Sequence, residues 1–385
     1  MVQERGEGNK GFLEAFDELE DPRTRECAHR LDELLLVALC AITSGADSWI
    51  SVAGWARLKL EWLRRFLPFA NGIASHDTFS RVFNLLDAKQ FEACFIGWMQ
   101  QLCPSPKGQL VPIDGKSVRG SHDGAQGAIH LVSAWHSAAG LVLGQVKTAH
   151  KSNEITAIPQ LLDALDVQGA TITIDAMGCQ HAIIDKIVEK GADYIVAVKN
   201  NQPTLAQAVE SMFNAGDAGV HDGRLQQDIA IDKGHGRIEI RRCVVAHDLS
   251  AMGEHAQAWK GLRSVVMVQS TREAVNGKNK GDKTTEWRYY ISSLALDASE
   301  FNAKVRAHWS IENSCHWVLD MAFDCDEDDC RIRAGHGAQN FAILRRIALN
   351  LIKQEKSSKT SVNIKRLKAG WSTDYLQVLL GLRTL

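Results

Sequence analysis

The chain has 385 residues, of which 45% are hydrophobic and 23% charged, with a formal net charge of -2. This composition excludes a disordered or fibrous protein, and the length predicts two or three domains. No apolar run reaches the roughly 18 residues that span a bilayer, and the start Met1-Val2-Gln3-Glu4-Arg5 is polar, so a cytoplasmic protein with no membrane partner is expected.

From Arg30 to about Met99 apolar residues recur three and four apart, as in Leu31, Leu34, Leu35, Ala38 and again in Trp55, Leu58, Trp62. The pattern predicts an all-α N-terminal domain over residues 1-105. Inside it, Asn71-Gly72 breaks the chain and Ser75 or Asp77 can cap the helix that follows. That helix carries Arg81, which a helix-turn-helix arrangement would present to DNA; a helix packing corner explains the same residues.

Cys103-Pro104-Ser105-Pro106-Lys107-Gly108 marks a boundary. Strands are then predicted over 109-114, 129-136 and 141-147, a helix over 153-165, a strand over 170-174, a helix over 180-190, a strand over 194-198 and a helix over 204-213. Three strands followed by alternating helix and strand form the order of a ribonuclease H-like α/β fold, here assigned to 106-218. Alternating apolar segments between turns make 219-297 a β-rich insertion. Helix returns over 298-323 and 338-354, within a last segment of 298-385.

Two carboxylates, Asp114 and Asp175, each follow a run of β-type residues, where a strand would present a side chain at the rim of a sheet. Either alone reads as a turn-former or helix cap. Together, on neighbouring strands, they would repel unless a cation relieved them. Glu312 lies on the late helix with His308 one turn before it and His316 one turn after. A zinc site on these three is the rival reading, but zinc hydrolase helices bring two histidines one turn apart, and these are two turns apart. Contact with phosphate suits the histidines better. Trp309 and Trp317 read as packing aromatics, one of which could stack on a displaced base.

Further candidates flank these acids. Lys116 and Arg119 follow Asp114, and Lys199 and Gln202 follow the strand at 194-198; all four could reach a phosphate or base, whereas the plain reading of the second pair is a strand-to-helix turn with Pro203 at the helix start. The acidic run Asp324-Cys325-Asp326-Glu327-Asp328-Asp329 fails as a calcium loop, because its sixth position is Asp329 and its twelfth Gly335. The charge is unevenly divided, at -3 over 1-108, -8 over 109-330 and +9 over 331-385. A basic end beside an acidic middle fits a phosphate-binding surface next to a cation-binding centre, with Arg331, Arg333, Arg345 and Arg346 as backbone clamps; a solvated basic helix is the alternative. Nine cysteines without CxxC spacing argue against a disulfide framework and a four-cysteine zinc site.

Asp21-Pro22-Arg23, Ser75-His76-Asp77-Thr78, Ile113-Asp114-Gly115-Lys116, Ile174-Asp175-Ala176, Val198-Lys199-Asn200-Asn201-Gln202 and the segment from His308-Trp309 to Asn350-Leu351 together carry a resemblance covering nearly the whole chain. It resembles bacterial insertion-sequence transposases of the H-repeat-associated type, within the class that uses an Asp-Asp-Glu triad. The resemblance implies a ribonuclease H-like mixed sheet with a β-rich insertion before the catalytic Glu helix, plus an all-α N-terminal DNA-binding domain. It also implies two Mg2+ ions, with Mn2+ as a substitute, held by Asp114, Asp175 and Glu312. The expected activity is cleavage at the element ends followed by joining of the 3'-hydroxyl to target DNA. Partners would be terminal-repeat and target DNA and further copies of the chain, as a homodimer or higher oligomer, with the protein associated with the nucleoid when on DNA. A metal-dependent nuclease that does not join, and an inactive DNA-binding remnant, are the rival functions. Related transposases carry Y-x2-R-x3-E-x6-K around the Glu; here Val305, His308 and Leu319 stand at the Tyr, Arg and Lys places, so those phosphate contacts do not carry over.

Overall fold

A computed structural model describes residues 11-25, 27-122, 127-148, 154-213, 224-234, 236-276, 280-323 and 327-382. In chain order the principal elements are α1 (Leu31–Thr43), α2 (Trp49–Leu58), α3 (His76–Leu85), α4 (Ala88–Leu102), β1 (Leu110–Val118), β2 (Ile129–His136), β3 (Leu141–Thr148), α5 (Glu154–Ala164), β4 (Thr171–Ile174), α6 (His181–Glu189), β5 (Asp193–Val198) and α7 (Pro203–Ser211). There follow β6 (Leu225–Gly234), β7 (Arg237–Ala246), β8 (Ser264–Ala274), β9 (Lys283–Ser292), α8 (Ala298–His308), a π turn (Glu312–His316), α9 (Trp317–Met321), α10 (Gly337–Gln354), α11 (Val362–Trp371) and α12 (Thr373–Leu380). The expected helix start at Asn153, the loop residues 277-279 and the acidic residues 324-326 lie outside the described residues. The architecture is a mixed α/β fold with a large mixed sheet and helices. Its contacts group into two compact units, one of residues 106-114 and 154-311, the other of 1-105, 115-153 and 312-385.

In the 106-114 and 154-311 unit, the strands run in the order β1-β4-β5-β9-β8-β7-β6. β1 pairs with β4 and β4 with β5 in parallel, and the remaining neighbours are antiparallel. Thr171-Ile172-Thr173-Ile174 is buried at every position, as suits a β-branched parallel strand covered on both faces. α5 buries Ala157, Ile158, Leu161 and Leu162, and α6 buries Ile183, Ile184 and Ile187. Residues 219-297, expected as a β-rich insertion, supply the four strands β6 to β9. They pack Cys243, Val245, Val266, Val268 and Tyr290 against Ala298, Phe301 and Val305 of α8. α8 starts at Asp297, whose side chain accepts from the Glu300 amide at 2.9 Å in a capping box.

The other unit is organised by α10, which is buried from Gly337 to Ile352. Its polar residues find specific partners. Asn340 Nδ2 donates to the carbonyls of Phe83 (2.8 Å) and Leu86 (2.9 Å), and the Asn350 amide closes a two-way bond with the backbone of Val142 at 2.8 and 2.9 Å. Arg346 Nη1 lies 2.6 Å from Glu327 Oε1, with both side chains wholly buried. Arg345 is buried too, over the Phe341 ring. These two arginines are therefore not surface clamps for a DNA backbone, and with Lys365 and Arg366 also buried, much of the +9 charge of residues 331-385 is interior. The N-terminal helices α1, α3 and α4 pack on α10 within this unit. β2 and β3 pair antiparallel here, turning at Gly140 with φ 70°.

Candidate active site

β1 and β4 pair in parallel register from Leu110 opposite Thr171 to Ile113 opposite Ile174. The residue that follows each of these last partners is a carboxylate, Asp114 after Ile113 and Asp175 after Ile174. The two acids thus occupy matched positions where this pairing stops; the strand end that the local sequences predict holds at Asp175 but not at Asp114. β1 itself does not end there but continues to Val118. Asp175 leaves β4 and caps the turn Ala176–Gly178, its Oδ1 accepting from the Met177 amide at 3.0 Å. The cap reading and the site reading of Asp175 are therefore compatible. The turn packs closely on its strand: a Cβ at Gly178 would strike the Ile174 side chain.

The electrostatics around Asp175 are strongly anionic. Burial raises its pKa, Glu154 at the start of α5 and Asp114 raise it further, and the Met177 and Gly178 amides work against them. Two groups link this turn to the start of α7: Asn201 Nδ2 donates to the Ala176 carbonyl at 2.6 Å and Gln202 Nε2 to the Cys179 carbonyl at 3.0 Å. Gln202 thus holds backbone, whereas Lys199 is exposed. His308, the last residue of α8, lies with Nδ1 2.8 Å from Thr173 Oγ1 on β4. Its pKa is lowered chiefly by burial and also by Arg288, against a pull upward from Asp114, which favours the uncharged imidazole. The Arg288 guanidinium stands 4.9 Å from the centre of the Trp309 ring.

In the other unit, Glu312 opens the π turn, with Oε2 3.1 Å from Nδ1 of the buried His316. The continuous helix expected over 298-323 is interrupted: α8 stops at His308, and the chain passes through this π turn before α9. Glu312 and His316 keep the shared face that the spacing predicts, in contact across the π turn, whereas His308 ends α8 before the break. π turns recur at functional positions in helices. Lys116 Nζ lies 2.6 Å from Asp320 Oδ2 and 4.0 Å from Asp328 Oδ1, with a mostly buried side chain. Arg119 is largely exposed; its amide donates to Asp328 Oδ1 at 3.1 Å and its Nε lies 3.3 Å from Asp328 Oδ2. Arg333 donates to the Gly120 carbonyl at 3.1 Å, and Arg331 and Arg81 are exposed. Ser75 caps α3 by accepting from the Thr78 amide at 3.2 Å, one of the two caps expected there.

Sequence reasoning passed over Glu154, Thr173, Arg288 and Asn201. Asn201 stood inside a motif already singled out, and Thr173 sits on β4 two residues before Asp175. Glu154 and Arg288 are distant in sequence from every acidic motif and carry no local signal.

Three comparisons bear on the identity of the chain. The family described as "Transposase DDE domain" matches residues 85–351, and "DDE_Tnp_1-associated" matches residues 13–99. The chain is 43% identical over 359 residues to "Putative transposase YncI" of Escherichia coli O157:H7, covering 91% of this chain and 89% of that one. It is 38% identical over 374 residues to "H repeat-associated putative transposase YhhI" of Escherichia coli strain K12, covering 96% and 98%. Among solved structures, a piggyBac transposase synaptic complex with hairpin DNA aligns with a TM-score of 0.43 at 10% identity, covering 96% of this chain and 75% of that one. Among the described residues no helix is long and apolar enough to cross a membrane. By the family match over residues 85–351 and the relatives that align along nearly its full length, the chain belongs to the DDE-domain transposases, on the H-repeat-associated branch expected from its motifs.

Proposed function

We propose that this protein is an active DNA transposase that cuts the ends of its insertion element and joins the freed 3'-hydroxyl to target DNA. Asp114 and Asp175, with Glu312 as the third carboxylate of the family pattern, are its metal ligands, on a ribonuclease H-like core. The observation that carries this reading is the register of β1 on β4, which sets two carboxylates at matched positions beside a third acid, Glu154. A crowd of hard oxygen donors fits a divalent cation such as Mg2+, or Mn2+ in its place. Such ions, two in the family pattern, supply Lewis acidity for attack by water and then by the 3'-hydroxyl at phosphorus.

The chain's own groups have definable tasks. The Met177 and Gly178 amides hold the Asp175 carboxylate at the turn, and Asn201 and Gln202 brace that turn from the start of α7. His308, fixed by Thr173, contributes a hydrogen-bonding edge. Exposed Arg81, Arg119, Lys199, Arg331 and Arg333 are the residues assigned to phosphate contacts, and Lys116 acts through its ion pair with Asp320. The N-terminal helices bind the terminal repeats, and the working form on DNA is an oligomer.

The test is incubation of the purified chain with labelled element-end DNA and a supercoiled target in Mg2+. Cleaved ends and end-to-target joints are expected. Cleavage without joints would make the protein a nuclease, and binding without cleavage an inactive remnant.

A further inference from the structure

We propose that the edge strand β6 is a self-association surface, through which two copies of this chain join their sheets antiparallel about Ala230. β6 ends the strand order and pairs with β7 along its whole length, from Leu225 opposite Ala246 to Gly234 opposite Arg237. Among the described residues no strand pairs with its other edge, to whose backbone groups a further strand can bond. Side chains alternate between the two faces. On one face Asp228 accepts from Asn302 of α8 at 2.7 Å, and Asp232 lies 2.7 Å from Arg241 and 3.8 Å from Arg306. The other face carries Ile229, 55% exposed, and Ile231, 68% exposed, with Ile240 of β7 directly opposite Ile231 and 39% exposed.

The sequence of the strand identifies the occupant. Outward from Ala230 stand Ile229 and Ile231, then Asp228 and Asp232, then Gln227 and Lys233. The segment is close to a palindrome, and antiparallel pairing of two copies reads one against the other in reverse. With Ala230 opposite its counterpart, Ile229 of each copy faces the partner's Ile231, joining two exposed apolar pairs into one covered patch on one face. On the opposite face each Asp228 comes beside the partner's Asp232, which arrives with Arg241 and Arg306, so the acids meet across the join with cations present. Gln227 meets the partner's Lys233. A two-fold axis perpendicular to the sheet satisfies all of these pairs and closes the assembly at two copies. The inference is independent of the carboxylate assignments.

Sedimentation velocity of the full chain without DNA, over a wide concentration range, tests it. A monomer-dimer equilibrium is expected, with the dissociation constant raised at least about tenfold by Ile231→Lys, while circular dichroism and melting temperature stay as in the parent. Ala230→Cys should cross-link to itself on mild oxidation, since directly opposed residues come within disulfide reach, whereas Gln226→Cys, placed opposite Gly234, should not. A chain that is monomeric at every concentration overturns the proposal. So does a dimer unmoved by Ile231→Lys, or an Ala230→Cys chain that fails to cross-link.

Discussion

Ile113 stands opposite Ile174 in the parallel pairing of β1 with β4, and this one register brings the following residues, Asp114 and Asp175, to matched positions at the end of the paired segment. Two acids 61 positions apart in the sequence thereby become neighbours through backbone hydrogen bonding alone. Glu154 adds a third negative charge. Unscreened, such a group of acids opposes folding; with a divalent cation it becomes a binding site.

Asp175→Asn should therefore raise the melting temperature at neutral pH without metal, by roughly 1–3 °C for a chain of this size. Asn keeps an Oδ1 acceptor for the Met177 amide, so the cap survives while the charge is removed. The sign follows from linkage. The Asp175 pKa is raised in the folded state by burial, Glu154 and Asp114, so the folded protein binds this proton more tightly than the unfolded chain. Its stabilising effect is full below the unfolded pKa and is lost as pH rises through the folded pKa. Thermal melts from neutral pH down to about the unfolded carboxylate value should show the gain of the variant shrinking as pH falls. A variant less stable than the parent at neutral pH would contradict this.

Glu327 and Arg346 are each wholly buried and 2.6 Å apart. Burial alone would raise the Glu327 pKa, but Arg346 and then Arg345 hold it below the usual value. Arg346→Met should cost about 3–5 kcal/mol in denaturant unfolding, because it leaves a buried carboxylate without its closest cation. Glu327→Gln paired with Arg346→Met should recover part of that loss. With a depressed pKa, the contribution of Glu327 is present above the unfolded value and falls away as pH drops through the folded one. Equal stability of the parent and Arg346→Met would refute the account of this pair.

Thr173→Val keeps shape and burial on β4 but leaves the Nδ1 of His308 without its 2.8 Å hydroxyl partner. A loss of about 1–3 kcal/mol is expected, together with slower cleavage at unchanged DNA affinity. Serine at the same position should restore most of both, which a purely apolar packing role for Thr173 would not allow. The measurements are chemical unfolding and single-turnover cleavage.

The strands and helices that position the acids were legible because their patterns are local. Alternating β-branched residues at 171-174 and the apolar spacing of α6 and α10 need no tertiary information to be read. Other features escaped. β1 continues through Asp114-Gly115-Lys116 to Val118, although Asp, Gly and Lys are poor strand formers; tertiary pairing overrides their propensity. The helix around Glu312 looked continuous because a π turn has no periodicity of its own over five residues. Charge counting misjudged the basic end for a different reason: it cannot distinguish exposed Arg331 from Arg346, buried on Glu327. Glu154 was invisible because its place beside Asp175 depends on how α5 packs.

The most direct test of the central claim is Mg2+-dependent cleavage of element-end DNA by the parent chain and by Asp114→Asn, Asp175→Asn and Glu312→Gln, with DNA binding measured in parallel. The account predicts that each substitution reduces cleavage at least about a hundredfold while binding to the ends is retained. Cleavage at the parent rate by any of the three would contradict the assignment of that residue as a metal ligand.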